Sequence, residues 1–336
     1  MSGSNPKAGS DVLAHSLAWD MVYPIEPWCG NNYHQLARYR DSGFNLVNLC
    51  LAGDNHNIGE AITRIAAARS YILAHPDDYL LVERVADIDR ARHLGVLAIA
   101  FHLEGTRCFE RKLEVIESFY KLGIRHTLLA FNQTNSVGGG CAEKNDMGLS
   151  NYGELLVREL ERVGMIVDLS HTGYRTTMDA MAMAEKPCMF SHSMAAGVNP
   201  HFRNLEDDQI KACAATGGVI GMSGSGEYIG DLSCSTESIV RHIDYIAQLV
   251  GPEHIGLGLD LVFDADALNG WIRTRVDEWP QAADPDWPGF AYAKPEQLPE
   301  LVDRLLQRDY SEEQVQGILG ENWRRVCNSC WQESSL

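Results

Sequence analysis

Eight short apolar runs recur along the chain, at residues 17–20, 44–51, 96–103, 125–131, 165–170, 188–193, 218–223 and 255–260. Most are nearly continuous in hydrophobicity, the pattern of strands buried on both faces and so of a parallel sheet. Between them, residues 112–122, 152–163, 176–184, 205–216 and 236–250 carry apolar positions at helical spacing. Strand and helix alternate from end to end, which predicts βα units. Eight units suit a closed (β/α)₈ barrel of the TIM type, an α/β fold; a doubly wound sheet would usually carry a Gly-rich phosphate loop after its first strand, and none is present. Gly138-Gly139-Gly140 lies in a long connection with no helix directly behind it, so it reads as a flexible active-site loop and not as a phosphate cradle. Residues 1–336 read as one barrel domain whose rhythm breaks at about 265–299, where Trp271, Trp279, Trp287 and five prolines occur without helical period. That stretch is expected to be an ordered, lid-like insertion over the barrel mouth.

Composition narrows the ligands. The 336 residues carry 28 Lys+Arg against 46 Asp+Glu, a formal charge of −18, and the basic residues are scattered. Nucleic acid, whose phosphates are held by clustered Lys and Arg, is excluded as a partner; small neutral or zwitterionic molecules fit better. At 45% hydrophobic and 22% charged, the chain is neither disordered nor fibrous. No apolar run approaches the ~18 residues of a membrane span, and the polar opening 1–11 lacks a signal-peptide pattern. A cytoplasmic protein without a membrane partner is expected. The nine cysteines sit mostly in apolar segments, among them Cys50, Cys188 and Cys213, and read as reduced thiols. Cys327 and Cys330 read as helix residues before a redox or zinc pair.

In a parallel barrel the chemistry comes from the C-terminal ends of the strands. Here the third run ends His102-Leu103-Glu104, the fifth Asp168-Leu169-Ser170-His171, the sixth Ser191-His192-Ser193 and the eighth Gly258-Leu259-Asp260. Two imidazoles and a carboxylate are a common ligand set for a divalent metal that keeps one position for water. Each residue alone reads equally well as a hydrogen-bonded core group; the four together do not.

The stretches 164–171, 187–193 and 202–208 closely resemble the renal or membrane dipeptidase family of zinc metallopeptidases. The resemblance extends through Leu103-Glu104-Gly105, residues 119–125, 148–153, 254–260 and 320–326, about nine tenths of the chain in the same order. It implies the barrel fold and a homodimer. It also implies that Glu104 bridges two zinc ions, that His171 and His192 complete the second site, that Arg203 holds a substrate carboxylate, and that Asp260 handles the proton of the attacking water. Two departures stand out. The family's first strand ends Asp-Gly-His-x-Asp, where this chain has Asp20-Met21-Val22-Tyr23-Pro24, with no side-chain ligand at 22 or 24. Its carbonyl-binding Thr-His is replaced by Ala130-Phe131-Asn132, closer to a bacterial branch with Tyr-Asn and a Gly-x-Gly-Cys loop, here Gly138 to Cys141.

The expectation is therefore a metal-dependent hydrolase of small amides, a dipeptidase or an N-acyl amino acid hydrolase. One zinc per chain is held by Glu104, His171 and His192, with a second site lacking ligands unless His102 supplies one. Asp260 is the acid and base, Arg203 binds the carboxylate, and Asn132, Tyr23 or the metal polarises the carbonyl. His102 and His126 read first as hydrogen-bonded core histidines, Asp20 as a group orienting a ligand, and Cys141 as a pocket-lining thiol. A second reading stays open, in which the barrel keeps its pocket for lyase or decarboxylase chemistry or for binding alone.

Overall fold

A computed structural model describes residues 9–24 and 33–332; most of the polar opening, residues 1–8, lies outside the described residues. Among the described residues nine strands form the sheet: β1 (Trp19–Pro24), β2 (Leu46–Gly53), β3 (Tyr79–Leu81), β4 (Leu97–Glu104), β5 (Ile124–Leu128), β6 (Ile166–Asp168), β7 (Met189–Ser193), β8 (Val219–Met222) and β9 (Ile255–Leu257). All pairings are parallel. The order β2-β1-β9-β8-β7-β6-β5-β4 closes on itself through β2 and β4, so eight strands make the expected (β/α)₈ barrel. The ninth, β3, lies beside the first half of β4, at Leu97 to Ile99, before β5 joins at Phe101. Sequence reading passes over it because three residues carry too little pattern to register.

The first strand runs four residues beyond its apolar signal at 17–20, ending at Pro24. Helices Asn151–Val163, Tyr174–Met183, Asp207–Ala215 and Thr236–Val250 match their periodic segments closely. Segment 112–122 instead opens as a 3-10 turn, Leu113–Val115, and is α-helical only over Ile116–Lys121. Inside 265–299 the structure adds a helix, Ala265–Ile272, and 3-10 turns at Pro280–Ala283 and Pro295–Gln297. Edge-to-face contacts of Phe290 with Trp279 and Trp287, at 5.5 and 5.4 Å, tie this stretch together, and all three rings join the main core cluster.

The floor of the barrel is plugged by Trp323 from the helix Asn322–Cys330, whose indole N–H donates to the Leu257 carbonyl at 3.1 Å. Gly256 makes room for it, since a Cβ there would fall 2.4 Å from the indole ring. Cys327 and Cys330 are buried in this floor and burial pushes both thiols up, the second to about 12, so they are packing residues. The eight described cysteines form no disulfide. Among the described residues no helix is long and apolar enough to cross a membrane.

Candidate metal centre

Four groups meet at the C-terminal rim. Glu104 ends β4 and His192 lies within β7. His171 and Asp260 each follow a strand by three residues and take positive φ, 60° and 52°, which carries their side chains back over the mouth. His171 Nε2 lies 2.9 Å from His192 Nε2, which is 3.9 Å from Glu104 Oε1 and 4.0 Å from Asp260 Oδ2. Ligand atoms of Glu104, His171 and His192 all lie within 4.8 Å of one another, and all three residues are buried.

The proton on the His171 ring follows from its outer partner. Asn132 Nδ2 donates to the Glu278 carbonyl at 3.1 Å, so its Oδ1 faces His171 Nδ1, 2.7 Å away. An amide oxygen only accepts, so His171 carries its proton on Nδ1 and turns a bare Nε2 lone pair to the centre. His192 Nδ1 lies 2.8 Å from Ser191 Oγ, which reaches on to Ser170 Oγ at 3.3 Å. Ser191 Oγ can accept the Nδ1 proton of His192; in that tautomer both Nε2 lone pairs converge beside the carboxylate, as metal-bound histidines with held outer nitrogens do, and in the other His192 Nε2 donates to His171 Nε2. Burial, aided by the Arg203 guanidinium, keeps both imidazoles well below their usual range and so neutral. The donor set fits a divalent ion of zinc type.

Buried carboxylates brace these loops. Asp168 accepts from the backbone N–H of Ser170 and Ser191 and from His126 Nδ1, each at 3.1 Å, tying β5, β6 and β7 together. Asp54, just past β2, accepts from Thr106 N, Arg107 N, Phe131 N and Asn135 Nδ2 at 2.8 to 3.1 Å. Asp20 accepts from Leu259 N at 2.7 Å and Val22 N at 3.2 Å, while the Val22 carbonyl accepts from Asp260 N. Asp20 therefore orients the Asp260 backbone, not a ligand side chain. Burial pushes Asp260 up to about 7, with Arg203 opposing and Asp20 reinforcing the shift.

A cavity of about 660 Å³ opens over the centre, lined by Glu104, His171 and Asp260 and roofed by Phe131, Trp271 and Trp279. Several sequence expectations meet different surroundings. Tyr23 is buried between Tyr39 and Phe263, at 5.5 and 5.9 Å, and lies off the cavity wall, because β1 slips register between Asp20 and Tyr23. Asn132 is likewise off that wall, its amide engaged by His171 and Glu278. Arg203 borders a smaller cavity of about 290 Å³ that shares His171. Its guanidinium donates to Ser193 Oγ at 2.9 Å and the His192 carbonyl at 2.7 Å, leaving Nε buried without a partner. The glycine triplet is a brace and not a free loop: Gly139 N donates to Thr176 Oγ1 at 2.9 Å and Gly173 N to the Gly139 carbonyl at 2.8 Å. Cys141 donates to Asn132 Oδ1 at 3.3 Å, and burial pushes its thiol up to about 11, so no nucleophile is formed.

Two features escaped the sequence. Tyr292 lines the cavity, and burial together with the Asp260 charge holds its phenol protonated; it lies in the insertion, where no strand end signals function. His126 is bonded to Asp168 as expected, but both ring nitrogens of buried His102 lack a hydrogen-bond partner, against expectation.

The sequence pattern of the membrane dipeptidase family, peptidase family M19, matches residues 21–271. The chain belongs to that family. An uncharacterized dipeptidase of Schizosaccharomyces pombe is 29% identical over 291 residues, which cover 83% of this chain and 63% of that protein. This chain thus spans just under two thirds of that relative. An amidohydrolase from Pseudomonas aeruginosa has the same fold with TM-score 0.87 at 25% identity, covering 97% of this chain and all of the other. A metallopeptidase from Rhodobacter sphaeroides, solved with a phosphinate mimic of L-Ala-D-Ala, superposes with TM-score 0.76 at 18% identity, over 94% of this chain and 100% of the other.

Proposed function

We propose that this family member hydrolyses small amides that carry a free carboxylate, a dipeptide or an N-acyl amino acid, with zinc held by Glu104, His171 and His192. The observation that carries this reading is the meeting of two neutral imidazole Nε2 atoms, 2.9 Å apart, beside Glu104 and under one cavity. An ion held by Glu104, His171 and His192 would lower the pKa of water towards neutrality and polarise an amide carbonyl. The remaining work falls to side chains. Asp260, with its carboxyl raised to about 7 and Oδ2 4.0 Å from His192 Nε2, takes the proton of the attacking water and returns it to the departing nitrogen. The Tyr292 hydroxyl supplies the donor to the scissile carbonyl that Asn132 and Tyr23 do not. Arg203 pairs with the substrate carboxylate; its unpartnered Nε supports that role.

Residues 265–299 act as a lid on a single barrel domain. Trp279 sits 5.7 Å from the Phe131 ring and 6.3 Å from His171, which supports an apolar roof beside the centre. The cavity volume lies within the range that suits small ligands. Cytoplasmic location and homodimer assembly complete the proposal, the first supported by the eight described cysteines, all free thiols in apolar surroundings or loops, and the second by the family resemblance. The test is metal analysis of the purified protein with a panel of dipeptides and N-acyl amino acids. Zinc-dependent turnover of one class supports the reading, and zinc-loaded protein inert to the whole panel counts against it.

A further inference from the structure

We propose a second cation site, formed by the Cys50 thiolate, the His102 imidazole and the Glu104 carboxylate, and selective for thiophilic divalent ions of the zinc class. Cys50 and His102 are register partners on the adjacent parallel strands β2 and β4, so their side chains leave the same face. Glu104, two residues beyond His102, shares that face. The pairing shifts register between Cys50 and Ala52, the kind of bulge that re-aims a side chain beside a site. Ligand atoms of the three residues lie within 4.8 Å of one another, and all three residues are buried.

His102 is the observation that asks for a ligand. It is fully buried and neither ring nitrogen has a hydrogen-bond partner, a condition that buried polar groups rarely keep. Its ring stacks on His126 at 4.4 Å, with planes 7° apart, so its direction is fixed. His126 cannot serve as partner in that face-to-face arrangement, and its Nδ1 is bonded to Asp168. His102 Nε2 instead points towards Glu104 Oε1, 4.0 Å away, and the same oxygen is 3.9 Å from His192 Nε2. Glu104 thus stands between two imidazoles, and the two ligand groups share its carboxylate. A thiolate selects against magnesium, calcium and manganese.

This inference shares Glu104 with the proposed hydrolase centre and otherwise stands on its own residues. The test is to strip the full-length protein of metal, titrate it with cobalt(II), and read both bound equivalents and the thiolate-to-cobalt charge-transfer absorption. Two equivalents are expected, with the band and one equivalent lost in Cys50→Ser and both retained in Cys141→Ser. His102→Gln is expected to weaken the same equivalent. One equivalent with a Cys50-dependent band supports this site and removes the His171 and His192 centre. One equivalent without the band leaves that centre standing and overturns the inference. A band that survives Cys50→Ser, or no binding at all, also overturns it. The wild-type spectrum decides even where a variant fails to fold, because wild-type protein without a thiolate band is sufficient refutation.

Discussion

Replacing Asn132 by glycine removes the grip on His171, together with the bonds to the Glu278 carbonyl and the Cys141 thiol. Asn132 Oδ1 accepts from His171 Nδ1 at 2.7 Å, and removing it frees the ring to rotate and to exchange tautomers. Loss of such an outer partner typically costs 10- to 100-fold in metal affinity, about 1.4–2.8 kcal/mol at 1.4 kcal/mol per decade. Glycine is the right replacement because Asn132 has φ of 57°, where alanine would add strain of its own. Glycine's larger unfolded-state entropy costs up to about 1 kcal/mol of stability, but equally with and without metal. Asn132→Asp keeps the acceptor towards His171 but sets a carboxylate oxygen against the Glu278 carbonyl, so it should bind zinc more tightly than the glycine variant and no more tightly than the natural protein. The assay is competition for zinc against a chromophoric chelator at neutral pH, with thermal unfolding of the stripped protein as control. Affinities within twofold of the natural value for both variants, or an aspartate variant weaker than the glycine variant, would refute the tautomer argument.

Asp168→Asn should lower stability by about 3 kcal/mol, because the carboxylate serves two backbone N–H groups and His126 from full burial. Burial alone would raise Asp168, but the His126 bond and charge outweigh it and hold the carboxyl well below its ordinary 3.8. Its stabilisation is therefore complete above that value and lost as pH falls further; acid titration of the melting temperature should be steeper in the natural protein than in the asparagine variant. Arg203→Met should raise KM for carboxylate-bearing substrates about 10- to 100-fold, the loss of one charge-assisted pair, while metal content stays constant; parallel loss of both would show that Arg203 only supports the ligand loops. Gly140→Ala should disturb metal binding together with folding, since a Cβ there would lie 2.1 Å from the Asn132 carbonyl carbon, and zinc affinity measured on the folded fraction checks it.

The barrel was legible because its signal repeats: seven of the eight apolar runs gave strands at or near their predicted ends, and only β1 ran well past its run. The rim residues were legible for the same reason, since Glu104, His171, His192 and Asp260 stand directly at or after strand ends. What failed were statements about direction. Tyr23 sits two residues from the rim in sequence, yet a register slip in β1 turns it into the core among Tyr39 and Phe263. Asn132 was read as a group facing substrate, but a positive φ and the Glu278 carbonyl aim its amide at His171. Cys50 looked like core filling because its neighbours Leu49 and Leu51 are apolar. Only the pairing of β2 with β4 puts it opposite His102. Such information lies in strand register and loop geometry, which hydrophobic periodicity does not encode.

The most direct measurement is diffraction from crystals grown with zinc, recorded at the zinc absorption edge. An anomalous peak is expected at about 2.0–2.2 Å from His171 Nε2, His192 Nε2 and a Glu104 carboxylate oxygen, with Asn132 Oδ1 still facing His171 Nδ1. A difference map without that peak, and with the two imidazoles bonded to each other instead, would contradict it.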